Sequence, residues 1–332
     1  MKRLQNLLVI SLICGICSCE FVDRDRSSLV LEEPPYGGLT DSIKQYPENA
    51  SLYAQRAILL SQHNRHELAT ADYKKAWELD PGERSALMYI SNLLLVDETA
   101  EAVNLLQECI ATYPNSIELQ RRLSEIYAQT GQNVLAVQQY DKLLVKDSLD
   151  FEVWFEKGIL LSRLKDTVAA IAALERSYAL QPINYTGLAL ASLYATTHNS
   201  KALEVCDELM QRDTTNIVND ILYIRGVYYS DSRQYEKALE QFNECIRRNW
   251  KFADAYIEKG IVLYDQKLFN DALDVFTMAA TVANTNPDAY YWMGRCYEKI
   301  GKDDLALINY ERALAIEKDF KEAAEGIRRL KS

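Results

Sequence analysis

Few residues in this sequence have the types and spacing that chemistry needs. His63 and His66 form a His-x-x-His pair, two imidazoles that could begin a metal site. A bound zinc takes three or four protein ligands. The spacing around the pair supplies no further one, so it reads as part of a solvent-facing turn. Cys109, Cys206, Cys245 and Cys296 occur one by one. Isolated thiols pack as small hydrophobes, while a Cys206–Cys245 bridge stays open for an exported chain. Glu118, Glu152, Asp220, Asp254 and Asp288 recur at the starts of successive helical patterns, where the helix dipole favours acids. A catalytic carboxylate pair would instead need one burying pocket that drives two pKa values apart. Gly-rich phosphate loops and Gly-x-Ser-x-Gly elbows are missing from the sequence. It therefore predicts a protein that is not an enzyme and takes no cofactor and no metal.

Composition narrows the partners. The 332 residues carry 48 acids against 37 bases, a formal charge of −11. A nucleic-acid duplex is bound by neutralising phosphates with Lys and Arg, so it is not the expected partner. Only 12 Gly and 7 Pro accompany 21 Tyr and 48% hydrophobic residues, which excludes a low-complexity chain and points to helices joined by short turns.

The amino terminus reads as an address. Met1-Lys2-Arg3 is basic, and an apolar run extends from Leu7 to Cys17. That run is shorter than the ~20 residues a membrane-spanning helix needs, and it suits the core of a signal peptide. Ile16-Cys17-Ser18-Cys19 follows, then a polar stretch from Glu20. An aliphatic residue, a small residue directly before a Cys and an abrupt polar switch resemble the lipobox of bacterial lipoproteins. The resemblance implies that Cys19 is acylated (a palmitate-labelled, membrane-anchored lipoprotein) and becomes the first mature residue. Residues 1–18 are the predicted signal peptide and 19–37, with Pro34-Pro35 and Gly37-Gly38, a flexible tether. Removing 1–18 takes away Lys2 and Arg3 and no acid, so the charge goes from −11 to −13. Such a body is repelled by anionic headgroups, and lipid rather than surface charge would hold it at the membrane.

A repeat sets the elements that position everything else. Small residues recur at Ala57, Ser91, Ser124, Gly158, Ala191, Gly226, Gly260 and Gly294, in steps of 33 to 35 residues. A second series is all alanine: Ala69, Ala102, Ala136, Ala170, Ala202, Ala238, Ala272 and Ala306. Four residues beyond each alanine stands Tyr73, Leu106, Tyr140, Leu174, Cys206, Phe242, Phe276 or Tyr310. Spacings of 3, 4 and 7 share one helical face. A small residue there lets a neighbouring helix approach, and large residues fill the flanking grooves. Turn signals such as Gln62-His63-Asn64, Thr130-Gly131-Gln132 and Ile300-Gly301-Lys302 separate two helices per unit.

This pattern resembles the tetratricopeptide repeat (TPR), a helical hairpin of about 34 residues. The stretch DAYYWMGRCYEKIGKDDLALINYERALAIEK follows the family pattern almost throughout. Trp250, Asn284 and Lys318 replace the closing Pro of the last three units, and the fifth unit is the weakest. The resemblance implies an all-α, right-handed superhelical solenoid of about eight repeats with short capping helices, over residues 38–332. The repeats are 50–83, 84–116, 117–150, 151–183, 184–216, 219–252, 253–286 and 287–320, with a polar cap at 321–332.

In TPR proteins positions 5, 9, 12 and 13 of each first helix face a concave groove. Carried onto this chain they include Ala54, Ile58, Met88, Asn92, Leu95, Arg121, Phe155, Ile159, Arg163, Tyr223, Ile257, Tyr264, Tyr291 and Arg295. Many are apolar or aromatic, the composition of a contact surface. The carboxylate clamp by which some relatives hold acidic chain ends needs Lys and Asn at positions 5 and 9. Position 5 here is Ala54, Met88, Arg121 or Phe155, and position 2 is mostly acidic, so the clamp is absent. The expectation is a lipid-anchored scaffold of the bacterial cell envelope, on the periplasmic face or outer membrane. It binds a peptide or partner helix of neutral or basic, partly apolar character, for envelope complex assembly or secretion. A solute- or glycan-binding lipoprotein of an uptake system is the alternative.

Overall fold

The computed structural model describes residues 29–212 and 216–331. The expected signal peptide, Cys19 and the first part of the tether lie outside the described residues. Those described are helix and turn, without strand. They fall into two compact units, residues 1–148 and 149–332.

The first unit begins with α1 (Gly37–Gln45). Three hairpins follow: α2 (Ala50–Gln62) with α3 (His66–Leu79), α4 (Glu83–Leu95) with α5 (Thr99–Thr112), and α6 (Ile117–Gln129) with α7 (Asn133–Lys146). The second unit has five hairpins. They are α8 (Phe151–Arg163) with α9 (Thr167–Leu180), α10 (Asn184–Thr196) with α11 (Lys201–Met210), α12 (Val218–Asp231) with α13 (Tyr235–Arg248), α14 (Ala253–Asp265) with α15 (Phe269–Val282), and α16 (Pro287–Ile300) with α17 (Asp303–Ile316). It ends with α18 (Lys321–Lys331). The second helix of the fifth repeat, α11, is cut to 10 residues where the other second helices have 14.

Local chemistry starts and stops the helices. Asn49, Ser116, Asp150 and Asn286 turn their side chains onto the first free backbone N–H groups of α2, α6, α8 and α16, each such cap contributing about 1 kcal/mol. Every hairpin turn has one residue with left-handed backbone: Asn64, Asp97, Gly131, Lys165, His198, Arg233, Lys267 and Gly301. The next N–H bonds back five residues, as Arg65 N–H to the Leu60 carbonyl and Lys302 N–H to the Tyr297 carbonyl. This closes the first helix and reverses the chain.

The core repeats with the turns. All eight alanines of the second series are 0% exposed. Each glycine of the small-residue series lies under the large residue of its partner helix, Gly158 under Leu174 and the last three under aromatic rings. A Cβ on Gly226 would meet the Phe242 ring at 2.4 Å, one on Gly260 would meet Phe276 at 2.4 Å, and one on Gly294 would meet Tyr310 at 2.7 Å. Cys109, Cys206, Cys245 and Cys296 are free and buried. Burial pushes the thiols of Cys206, Cys245 and Cys296 up to about 12, so they pack as apolar groups.

The amino-terminal end corrects one expectation. The tether was expected to run to residue 37, yet residues 29–32 are helical and Tyr36 is buried. The Tyr36 ring meets His63 edge-on, and its hydroxyl lies 3.1 Å from His63 Nδ1. Behind it, Arg56 donates from Nε and Nη2 to both oxygens of Asp72 at 2.7 Å, and from Nη1 to Thr40 Oγ1 at 2.9 Å. This buried fork joins α1, α2 and α3. Breaking such a pair from one side costs about 3–5 kcal/mol, because it strands the other charge. At the carboxyl end, Arg329 of α18 donates two bonds of 2.7 Å to Glu298 of α16.

Candidate peptide-binding faces

In the first unit, the faces of α2 and α4 enclose a cleft of about 620 Å³ lined by Ser61, Tyr73, Arg84, Met88, Asn92 and Leu95, among others. A second hollow of about 410 Å³ adjoins it, lined by Ala54, Ile58, Arg84 and Met88, among others. Met88, Arg84 and Tyr73 border both. Leu95 in the cleft is 64% exposed and Ile58 in the adjoining hollow 38%, so the two together offer apolar contacts to a ligand. Asn92 is only a wall: it is buried, and its amide donates to the His66 carbonyl and to Thr70 Oγ1. Arg121 stands partly buried on α6. Arg84 was not singled out by sequence, and Tyr73 was read there only as a core residue. Arg84 occupies the first position of its repeat, outside the positions read as groove, and Tyr73 comes from a second helix.

In the second unit the first helices of neighbouring hairpins touch, α8 with α10, α10 with α12, α12 with α14 and α14 with α16. Several expected groove residues are drawn into this packing. Phe155 meets Tyr185 edge-on at 4.6 Å, and both Phe155 and Ile159 pack on the core around Leu190 and Ile221. Tyr223 lies 5.4 Å from Phe252 and 6.2 Å from Phe242. Ile257 is buried in the core, which corrects its reading as a groove contact. Arg163 is exposed at the end of α8.

Tyr264, Tyr291 and Arg295 are brought together; the two tyrosines are buried in the core, which corrects their reading as open groove contacts, and Arg295 stays half-buried between them. Arg295 donates from Nη1 to the Tyr291 hydroxyl at 2.8 Å and from Nη2 to the Tyr264 hydroxyl at 3.2 Å. Its guanidinium lies 5.4, 5.8 and 5.6 Å from the rings of Tyr264, Tyr291 and Trp292. Trp292 was missed by sequence, since its neighbour Tyr291 holds the position read as groove.

Acids gather at the other end of the same helices. Burial, followed by the charges of Asp231, Asp254 and Asp288, pushes Glu258 up to about 7. Asp288 is also raised, by burial and then by Glu317, Asp254 and Glu322. Of the acids read as helix starts, Asp254 and Asp288 thus act on one another from α14 and α16, joined by Glu258 and by Asp231 at the end of α12, while Asp220 is raised by burial alone. Among the described residues, no group of three His, Cys, Asp or Glu side chains is placed to hold a metal ion. No described helix is long and apolar enough to cross a membrane.

Comparison with known proteins agrees with the hairpin geometry. Family profiles described as tetratricopeptide repeat match residues 84–116, 123–184, 225–287 and 287–320, together more than half of the chain. The chain belongs to the tetratricopeptide repeat family. Human DnaJ homolog subfamily C member 7 is 23% identical over 302 residues, covering 85% of this chain and 56% of that protein. The human mitochondrial import receptor subunit TOM70 is 24% identical over 215 residues, covering 60% of this chain and 34% of its own length. The chain therefore spans about half or less of these relatives. Among solved structures, a tetratricopeptide repeat protein from Parabacteroides merdae superposes with a TM-score of 0.52 at 11% identity, covering 85% of this chain and 99% of that one. The type IV pilus biogenesis factor PilW gives 0.55 at 12% identity, over 65% and 98% of the two chains. These likenesses show a shared fold.

Proposed function

We propose that this protein is a non-enzymatic scaffold that holds polypeptide partners at a membrane of the bacterial cell envelope, binding an extended peptide or partner helix against the first helices of its hairpins. The observation that carries the binding role is the cleft between α2 and α4 with its adjoining hollow, where Leu95 in the one, Ile58 in the other and Met88 between them present apolar surface beside Arg84. A groove of helix faces suits an extended peptide or an amphipathic helix. The membrane role rests on Ile16-Cys17-Ser18-Cys19, with the lipid on Cys19 as the anchor and the acidic body turned to partners.

Two substitutions test the two halves separately. Met88→Glu puts a charge in the cleft and is expected to lose polypeptides that copurify with the wild type, at unchanged circular dichroism. Retention of every partner by the folded variant contradicts the cleft. Cys19→Ser is expected to abolish palmitate incorporation and release the protein from the membrane fraction. Labelling that survives the substitution contradicts the anchor.

A further inference from the structure

Arg295 is a cation built into the face of α14 and α16 with part of its hydrogen-bonding capacity unused. Three aromatic rings surround it and two phenol hydroxyls take one N–H from each terminal nitrogen. A guanidinium has five N–H donors in a fixed fork, so three remain. No carboxylate among the described residues bonds to it, although the chain carries 48 acids. Glu298 on the same helix lies in the field of Arg295 but accepts its hydrogen bonds from Arg329 and the Tyr310 hydroxyl. Asp265, next to Tyr264, lies in the field of Arg233. Aromatic walls lower the local dielectric and fix the plane of the fork, conditions under which a bidentate carboxylate contact is strong and directional.

We propose that Arg295, held by Tyr264, Tyr291 and Trp292, is a carboxylate-binding subsite that takes a single acidic group of a bound peptide. The inference deepens the peptide-binding reading and rests on it. The acids at the far end of the same helices limit what else the peptide carries. Asp288 lies seven residues before Arg295 on α16, about 10 Å along a helix axis, with Asp254 and Glu258 facing it from α14. A run of acids would be repelled there. The ligand is therefore a neutral or basic segment with one carboxylate, on a side chain or at the chain end.

The test is selection of random dodecapeptides on the folded chain from residue 20 onward, in one library with blocked and one with free carboxyl ends. Wild type is expected to enrich one fixed Asp or Glu in the blocked library, or the free-ended library as a whole. That enrichment is lost with Arg295→Gln and weakened with Arg295→Lys, which keeps charge without the fork. Replacing the selected acid by its amide is expected to weaken binding about ten- to a hundred-fold in the wild type. The same replacement does nothing in Arg295→Gln, a coupling that a merely structural loss does not produce. Enrichment that persists in Arg295→Gln, or selected peptides with no fixed carboxylate, overturns the subsite. Selection of no peptide at all overturns the peptide-binding reading itself, whereas Met88-dependent binders without an acid leave that reading standing and remove the subsite alone.

Discussion

At the scale of single residues, the protein places a few charges where water cannot fully solvate them. Glu258 is the clearest. Its carboxyl is raised to about 7 by burial first and by Asp231, Asp254 and Asp288 after that. The folded state thus holds a proton that the unfolded chain, with an ordinary carboxylate, releases near pH 4.5. Stability from this group is fully present below the unfolded value and is lost as pH rises through about 7. Thermal unfolding across pH 5 to 8 is expected to show the wild type losing stability, on the order of a few kcal/mol. Glu258→Gln is expected to flatten the profile and to be the more stable protein at pH 8. Equal slopes for the two proteins contradict the placement of Glu258. This acid was not legible in sequence, because its burial depends on three helices from consecutive repeats. Arg56 and Asp72 were missed for a related reason: their fork is closed by Thr40 of α1, an element outside the repeat. Tyr264, Tyr291 and Arg295 could be placed on one face from repeat position alone, but not their contact with Trp292.

At the scale of the element, the hairpin was readable because it is written eight times. The alanine series and the small-residue series mark the two helix faces that touch, and both are buried as that pattern requires save at Ser91, which is half-buried beside the cleft. The turns were less readable. Six of the eight left-handed positions are not glycine but Asn64, Asp97, Lys165, His198, Arg233 and Lys267, so composition does not mark them. Residues 29–37 read as a tether because no helical period passes through Pro34-Pro35 and Gly37-Gly38, yet Tyr36 anchors them on His63. Expected groove residues such as Asn92 and Ile257 turned inward, since coverage of a first-helix position depends on the side chains of the next hairpin. The tight faces make a sharp contrast of variants. Gly226→Ala forces a methyl against the Phe242 ring at 2.4 Å and is expected to cost about 1–3 kcal/mol in urea unfolding. Gly38→Ala in α1 meets nothing within 4 Å and is expected to be neutral or to stabilise by about 0.5–1 kcal/mol. Comparable losses from both would mean that the small residue is not what lets the paired helices approach.

At the scale of the molecule, repeats replace a single central core by a succession of nearest-neighbour interfaces. Each unit keeps its own core, and in the proposed role the first helices of its hairpins carry the faces offered to partners. The net charge of −11 fits the proposed preference for segments that do not add to its acids. The central claim is that a polypeptide binds against the first helices, and site-specific photocrosslinking in cells tests it most directly. A photoreactive residue at Met88, in the α2–α4 cleft, is compared with one at Val134, which is 72% exposed on a second helix. Met88 is expected to capture a discrete polypeptide that Val134 does not. Equal capture at both positions, or capture at Val134 alone, would contradict the account.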